Sequence, residues 1–139
     1  MLTDEDVKVL ISFVPKTDRE KLAHCLVAFT LGLGMPSTQV RKLFVDDVVL
    51  DGGYVKLRYK WPAQLRLMPM PGWVRQAFLW YADTAPLSLV PDPYFIRWQY
   101  QEDALQDVVE KHTRRLLGRL VSTLDLRLAH KANASTGRE

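Results

Sequence analysis

Cations set at alternate positions along an apolar stretch are the feature of this sequence best suited to chemistry. Lys56, Arg58 and Lys60 alternate with Val55, Leu57 and Tyr59, and Arg66 follows on the next apolar run. In an extended strand that spacing puts the cations on one face, where they can follow a phosphate backbone. A second cluster lies near the end of the chain. Residues 111–139 hold seven basic and two acidic side chains, whereas residues 1–50 and residues 51–110 each hold six basic and seven acidic ones. Arg115 and Arg119 are four residues apart and share a helical face, and Arg127 follows. An excess so confined points to an anionic partner, of which nucleic acid is the commonest.

Other chemistries find little support. One cysteine, Cys25, excludes a disulfide framework and a cysteine-rich zinc site. His24 stands beside it on an apolar helix with no further ligands at suitable spacing, so it reads as a core residue. Asp46-Asp47 resembles a magnesium pair only superficially. There is no glycine-rich phosphate loop, no Ser/His/Asp set and no paired-carboxylate spacing. No metal or cofactor is expected. Trp61, next to Lys60 at a turn, is the tryptophan expected to be exposed, where it could stack on a base or a partner side chain. Trp73, Trp80 and Trp98 read as core or partner-facing anchors.

These residues need a scaffold. The chain has 139 residues, enough for one domain that buries its own core. The start, MLTDEDVKVL, is acidic and is not a signal peptide. No apolar run approaches the roughly 18 residues of a membrane helix, so a soluble, cytoplasmic protein is expected. Thr3 and Asp6 have capping-box spacing ahead of Val7, Leu10, Ile11 and Val14, a helix that Pro15 should close. Thr17 and Glu20 repeat the box ahead of a mostly buried helix that Gly32 and Gly34 should stop. Pro36 fits the first position of a short third helix with Val40, Leu43 and Phe44 inward. The period then falls to two. Asp51-Gly52-Gly53 marks one turn and Trp61-Pro62-Ala63 the next, giving a three-stranded antiparallel sheet whose third strand holds Leu65, Leu67 and Met68.

Helical spacing returns at Val74, Ala77, Phe78 and Tyr81. The proline-rich stretch 84–94 reads as a loop. Leu105, Val108, Val109, His112 and Leu116 define a longer helix that Gly118 should end or bend. Ser122 and Thr123 open a last helix through Leu128, and residues 133–139 should form a flexible tail. The expected fold is α+β, mostly α: helices around a small three-stranded antiparallel sheet, in a single domain over residues 1–132.

In this order the chain resembles the catalytic domain of the tyrosine recombinases, the phage-integrase family. LTDEDVKVL matches the opening of that domain, and LGLGMPSTQVRKLFVDDVVLDGG runs through its first box and hairpin register without a gap. MPMPGWVRQAFLWYA is similar to its strand end and following helix, and LVSTLDLRLAH resembles its second box, His-x-x-Arg-His. The resemblance implies a DNA strand transferase that clamps the scissile phosphate with two arginines and a His or Lys. A hairpin lysine would protonate the leaving oxygen, and a C-terminal tyrosine would attack the phosphorus.

Most of these parts fail to map. The first-box arginine falls on Pro36 and its glutamate on Gln39. The first histidine of the second box falls on Leu124 and the later one on Leu128, with His130 two residues on. Lys60 is the candidate hairpin lysine, and Arg127 matches the second-box arginine. Residues 1–139 hold no match to the nucleophilic tyrosine after the second box, and with Met1 directly before the domain, the family's DNA-clamping N-terminal domain is expected to be missing. The expectation is a non-catalytic, integrase-like DNA-binding or accessory protein of a mobile element or prophage. Its candidate DNA contacts are Lys56, Arg58, Lys60, Arg66, Arg115, Arg119 and Arg127. A recombinase subunit or a second copy is a further candidate partner. The alternative is a protein–protein interaction module that retains the fold without binding DNA.

Overall fold

The computed structural model describes the backbone of residues 2–60, 63–84 and 102–135. The reading of Trp61-Pro62 as a turn, the loop 85–94 and Trp98 lie outside the described residues. Among the described residues, six α-helices and one sheet follow the expected order: α1 (Asp4–Ser12), α2 (Asp18–Val27), α3 (Ser37–Arg41), β1 (Val48–Val49), β2 (Tyr54–Lys60), β3 (Ala63–Pro69), α4 (Gly72–Thr84), α5 (Glu102–Leu117) and α6 (Thr123–Ser135). Among the described residues no helix is long and apolar enough to cross a membrane.

Both capping boxes form. The Thr3 hydroxyl accepts from the Asp6 amide while the Asp6 carboxylate accepts from the Thr3 amide, and Thr17 and Glu20 do the same at α2. A third box opens α6, where Ser122 and Asp125 exchange the same pair of bonds. Helix α1 stops at Ser12, three residues before Pro15. Phe13 is already extended, and Val14, which a following proline biases away from helix, is exposed rather than on the buried face. Pro36 stands one position before the first turn of α3, as its cap. Gly118, at φ +74°, ends α5. Helix α6 continues to Ser135, into the stretch expected to be a flexible tail.

Helix α2 changes character before it ends. Residues Ala28–Gly32 wind as a π turn, and Gly34, at φ +72°, terminates it. A Cβ on Gly32 would collide with Val74 and Trp73, so glycine lets α4 pack directly on the turn. The core gathers around this segment: Val27, Ala28, Phe29 and Leu31 lie against Val74 and Phe78 of α4, Leu105 and Val109 of α5, and Leu126 of α6.

The sheet is antiparallel in the order β1-β2-β3, with Val48 and Val49 opposite Val55 and Tyr54. In the β2–β3 pairing Lys56 faces Leu67, Leu57 faces Arg66 and Arg58 faces Leu65. Val55 and Leu57 are buried, as the alternation requires. The register corrects one expectation and settles one face that the alternation left open. Arg66 pairs with Leu57, so it belongs to the opposite face from Lys56 and cannot extend the basic row. Leu65 and Leu67 share the face of Lys56 and are 57% and 52% exposed. Only the partner strand fixes which side an apolar residue of an edge strand takes, and a single-strand pattern does not contain that information.

Candidate nucleic-acid interface

Two segments far apart in sequence meet at the end of the π turn. Helix α6 lies against it, and the contact is polar as well as apolar. Arg127 Nε donates to the Gly34 carbonyl at 3.4 Å, and His130 Nδ1 donates to the Leu31 carbonyl at 3.1 Å. A carbonyl only accepts, so Nδ1 carries the proton in His130. These bonds satisfy carbonyls that the end of a helix leaves without intrahelical partners. The His130 ring packs on Gly34 so closely that a Cβ there would strike it. Glycine at position 34 is therefore required twice, by its positive φ and by this contact.

The junction is concave. A cleft of about 510 Å³ is lined by Leu33, Gly34, Leu124, Arg127, Leu128, His130 and Lys131. It unites the end of the first-box segment, two residues before Pro36, with the second-box segment. Its donors are the remaining guanidinium N–H groups of Arg127 and the Lys131 ammonium. Its walls include Leu124 and Leu128, which are 58% and 45% exposed. Leu124 and Leu128 are the residues at which the resemblance expected imidazoles. The cleft can bind an anion through Arg127 and Lys131, and it offers apolar surface where phosphoryl transfer would need further donors.

The other sequence candidates scatter. Lys56 is half-buried on β2; the side chains of Arg58 and Lys60 lie outside the described residues. Arg115 and Arg119 do not join the cleft. Arg115 Nη2 lies 3.4 Å from Glu20 Oε2 at the first turn of α2. Arg119 forms a two-bond pair with Asp6 of α1, one of them Nη1 to Oδ1 at 3.1 Å. Glu20 and Gly34 are separated by α2 and the π turn, a span of roughly 20 Å at the helical rise. The pair with Arg119, helped by the Thr3 amide, lowers the Asp6 carboxyl to about 2. The Lys16 and Thr17 amides, and more weakly Arg115, hold Glu20 below its usual range. Sequence spacing could not reveal these pairs, because each joins residues about a hundred positions apart.

A second polar feature is internal. His24 of α2 and His112 of α5 are almost fully buried, and Phe13 stacks against both, at 5.7 and 5.0 Å between ring centroids. Trp73 and Trp80 of α4 close the other side of His24. Among the described residues, His24 Nδ1 and His112 Nε2 have no hydrogen-bond partner. Burial lowers both imidazoles to about 4, and at His112 the neighbouring Arg115 adds to the effect. Cys25 is buried nearby, and burial pushes its thiol up. Among the described residues no group of three His, Cys, Asp or Glu side chains could hold a metal. Asp47 is also internal. Its Oδ2 accepts from the Phe44 amide at 2.9 Å and fixes the turn that enters β1.

No protein-family profile matches this sequence, and no curated protein does. Solved structures do. The crystal structure of XerA recombinase superposes with a TM-score of 0.78 at 16% identity, over 98% of this chain and 50% of that one. An integrase from mycobacterium phage Brujita superposes with a TM-score of 0.69 at 12% identity, over 94% of this chain and 42% of that one. The chain thus spans half or less of the length of these structures. Nearly all of it follows their path, through both segments that meet at the cleft, and so the protein has a tyrosine recombinase/integrase-like fold.

Proposed function

We propose that the protein is a non-catalytic, integrase-like DNA-binding or accessory protein, acting in the cytoplasm beside a recombinase of a mobile element or prophage. One observation carries the reading. The cleft that joins the two box-like segments keeps Arg127 but presents Leu124 and Leu128, and Pro36, two residues after Gly34 in the sequence, takes the place of the first-box arginine in the resemblance. Losing one preorganised donor to the transition state typically costs about 3 kcal/mol, a hundredfold or more in rate, and here several positions are apolar at once.

DNA binding in this reading rests on charge alone. Arg127 and Lys131 in the cleft, and Lys56, Arg58 and Lys60 on the hairpin, supply cations for phosphates. Arg66 would contribute from the other sheet face. Arg115 and Arg119 would have to share themselves with Glu20 and Asp6. Phosphate contacts of this kind set affinity and orientation without reading sequence. The test is a two-part assay on a labelled duplex with a nicked-strand trap. The reading expects retarded duplex with no covalent protein–DNA adduct. An adduct or a strand break that survives purification and disappears in Arg127→Ala would refute it. The alternative, an interaction module that does not bind DNA, is favoured by the two exposed leucines of α6.

A further inference from the structure

We infer that the α6 cleft is a docking groove for an acidic, leucine-bearing helix of a partner protein. The inference rests on the reading that this cleft performs no phosphoryl transfer. Three observations carry it. First, Leu124 and Leu128 are four apart on α6 and form one exposed apolar ridge, while Leu126 between them is fully buried. The exposure therefore belongs to one face of the helix, and Leu120, the most exposed leucine among the described residues, precedes it. Second, the ridge adjoins a real concavity of about 510 Å³, large enough to receive side chains. Third, the cleft is one-sided in charge. Arg127 and Lys131 border it, and among the described residues that line it none carries a carboxylate.

A phosphate at Arg127 and Lys131 would use the cations of this surface and leave its leucine ridge exposed to water. A helix with leucines at i and i+4 packs its ridge against Leu124 and Leu128, and glutamates beside them reach Arg127 and Lys131. The Nε bond to the Gly34 carbonyl holds the Arg127 guanidinium in place for such a pair. Apolar anchor and flanking charge would each contribute, which gives affinity and orientation together.

The experiment uses a fluorescein-labelled helical probe peptide with leucines at i and i+4 flanked by glutamates, titrated with the full chain. Expected is saturable binding in the micromolar range. Leu124→Ser with Leu128→Ser should weaken it roughly tenfold or more, and Arg127→Ala should weaken it several-fold. Both leucines are exposed, so the double variant should keep the wild-type circular dichroism and melting point, which is checked in parallel. No binding at about 200 µM, or binding indifferent to the leucine changes, overturns the inference. So does a gain in duplex affinity when the leucines are removed, because the leucine face would then lie against DNA rather than against a partner helix. Duplex binding by the same double variant is measured separately. If it is unchanged while the peptide is lost, the docking groove stands apart from DNA binding; if duplex binding is absent in wild type and the peptide still binds, only the DNA reading fails.

Discussion

Lowering the pH from 7 to 5 should remove about 4 kcal/mol of stability, and the loss should come from His24 and His112. In the folded chain both imidazoles titrate at about 4, because both are buried, His24 against Phe13, Trp73 and Trp80 and His112 against Phe13, and among the described residues each has a ring nitrogen without a hydrogen-bond partner. At His112 the Arg115 guanidinium and His24 add to that lowering, while Glu20 opposes it. In the unfolded chain both return to 6.5. Between these values the unfolded chain binds protons that the folded chain refuses. Acid therefore favours unfolding from pH 6.5 down to about 4. At pH 5 the gap is worth about 2 kcal/mol per histidine. For a chain of this size the pair should lower Tm by about 10–15 °C. The acidic groups do not obscure the window. Folded-state values are depressed at Asp6, to about 2, and at Glu20, so what they contribute is lost only as the pH falls below about 4.5. Thermal melts at pH 7, 6 and 5 read the effect, and the C2–H proton shifts of the wild-type imidazoles assign it. A Tm unchanged between pH 7 and 5, or either buried imidazole titrating at 6 or above, would refute the reasoning.

Other outcomes follow from the same packing. Gly34→Ala should lose about 1–3 kcal/mol in urea denaturation, from the positive φ and the clash with His130, whereas Gly72→Ala, with open space around it, should not. Leu126→Ala should cost about 2–5 kcal/mol and Leu124→Ala less than about 0.5, since only the first side chain is buried. Asp6→Ala should destabilise more than Thr3→Ala, because Asp6 both completes the α1 cap and pairs with Arg119; in a double-mutant cycle with Arg119→Ala part of the Asp6 loss should vanish.

Local signals in the sequence and tertiary facts in the structure divide cleanly here. Thr3 with Asp6, Thr17 with Glu20, Gly34, Gly118 and the Asp51-Gly52-Gly53 turn act through neighbours within a few residues, and each was legible. So were the strand alternation at Val55 and Leu57 and the helix order that carried the family resemblance. Where a property depends on a partner far along the chain, the pattern was silent. Nothing at Arg115 or Arg119 announces Glu20 or Asp6, and nothing at Arg66 says that it pairs with Leu57. His24 was legible as a core residue, but its placement with His112 around Phe13 was not, because three elements must pack to create it. Leu124 and Leu128 were expected to belong to a helix. Their exposure follows from the π turn and the Gly34 that terminates it, whose Leu31 and Gly34 carbonyls take His130 and Arg127 and so set which face of α6 is left outside. The π turn itself has no signature beyond an apolar run and two glycines.

The central claim, a DNA-binding domain without strand-transfer chemistry, meets its most direct test in a salt titration. A labelled 30-base-pair duplex is followed by fluorescence anisotropy from low to physiological salt. With roughly three to five phosphates neutralised, log affinity should fall against log salt with a slope of about −3 to −4. Lys60→Ala and Arg127→Ala should each flatten that slope by about one. Absence of binding even at low salt, or a slope that neither substitution changes, would contradict the account.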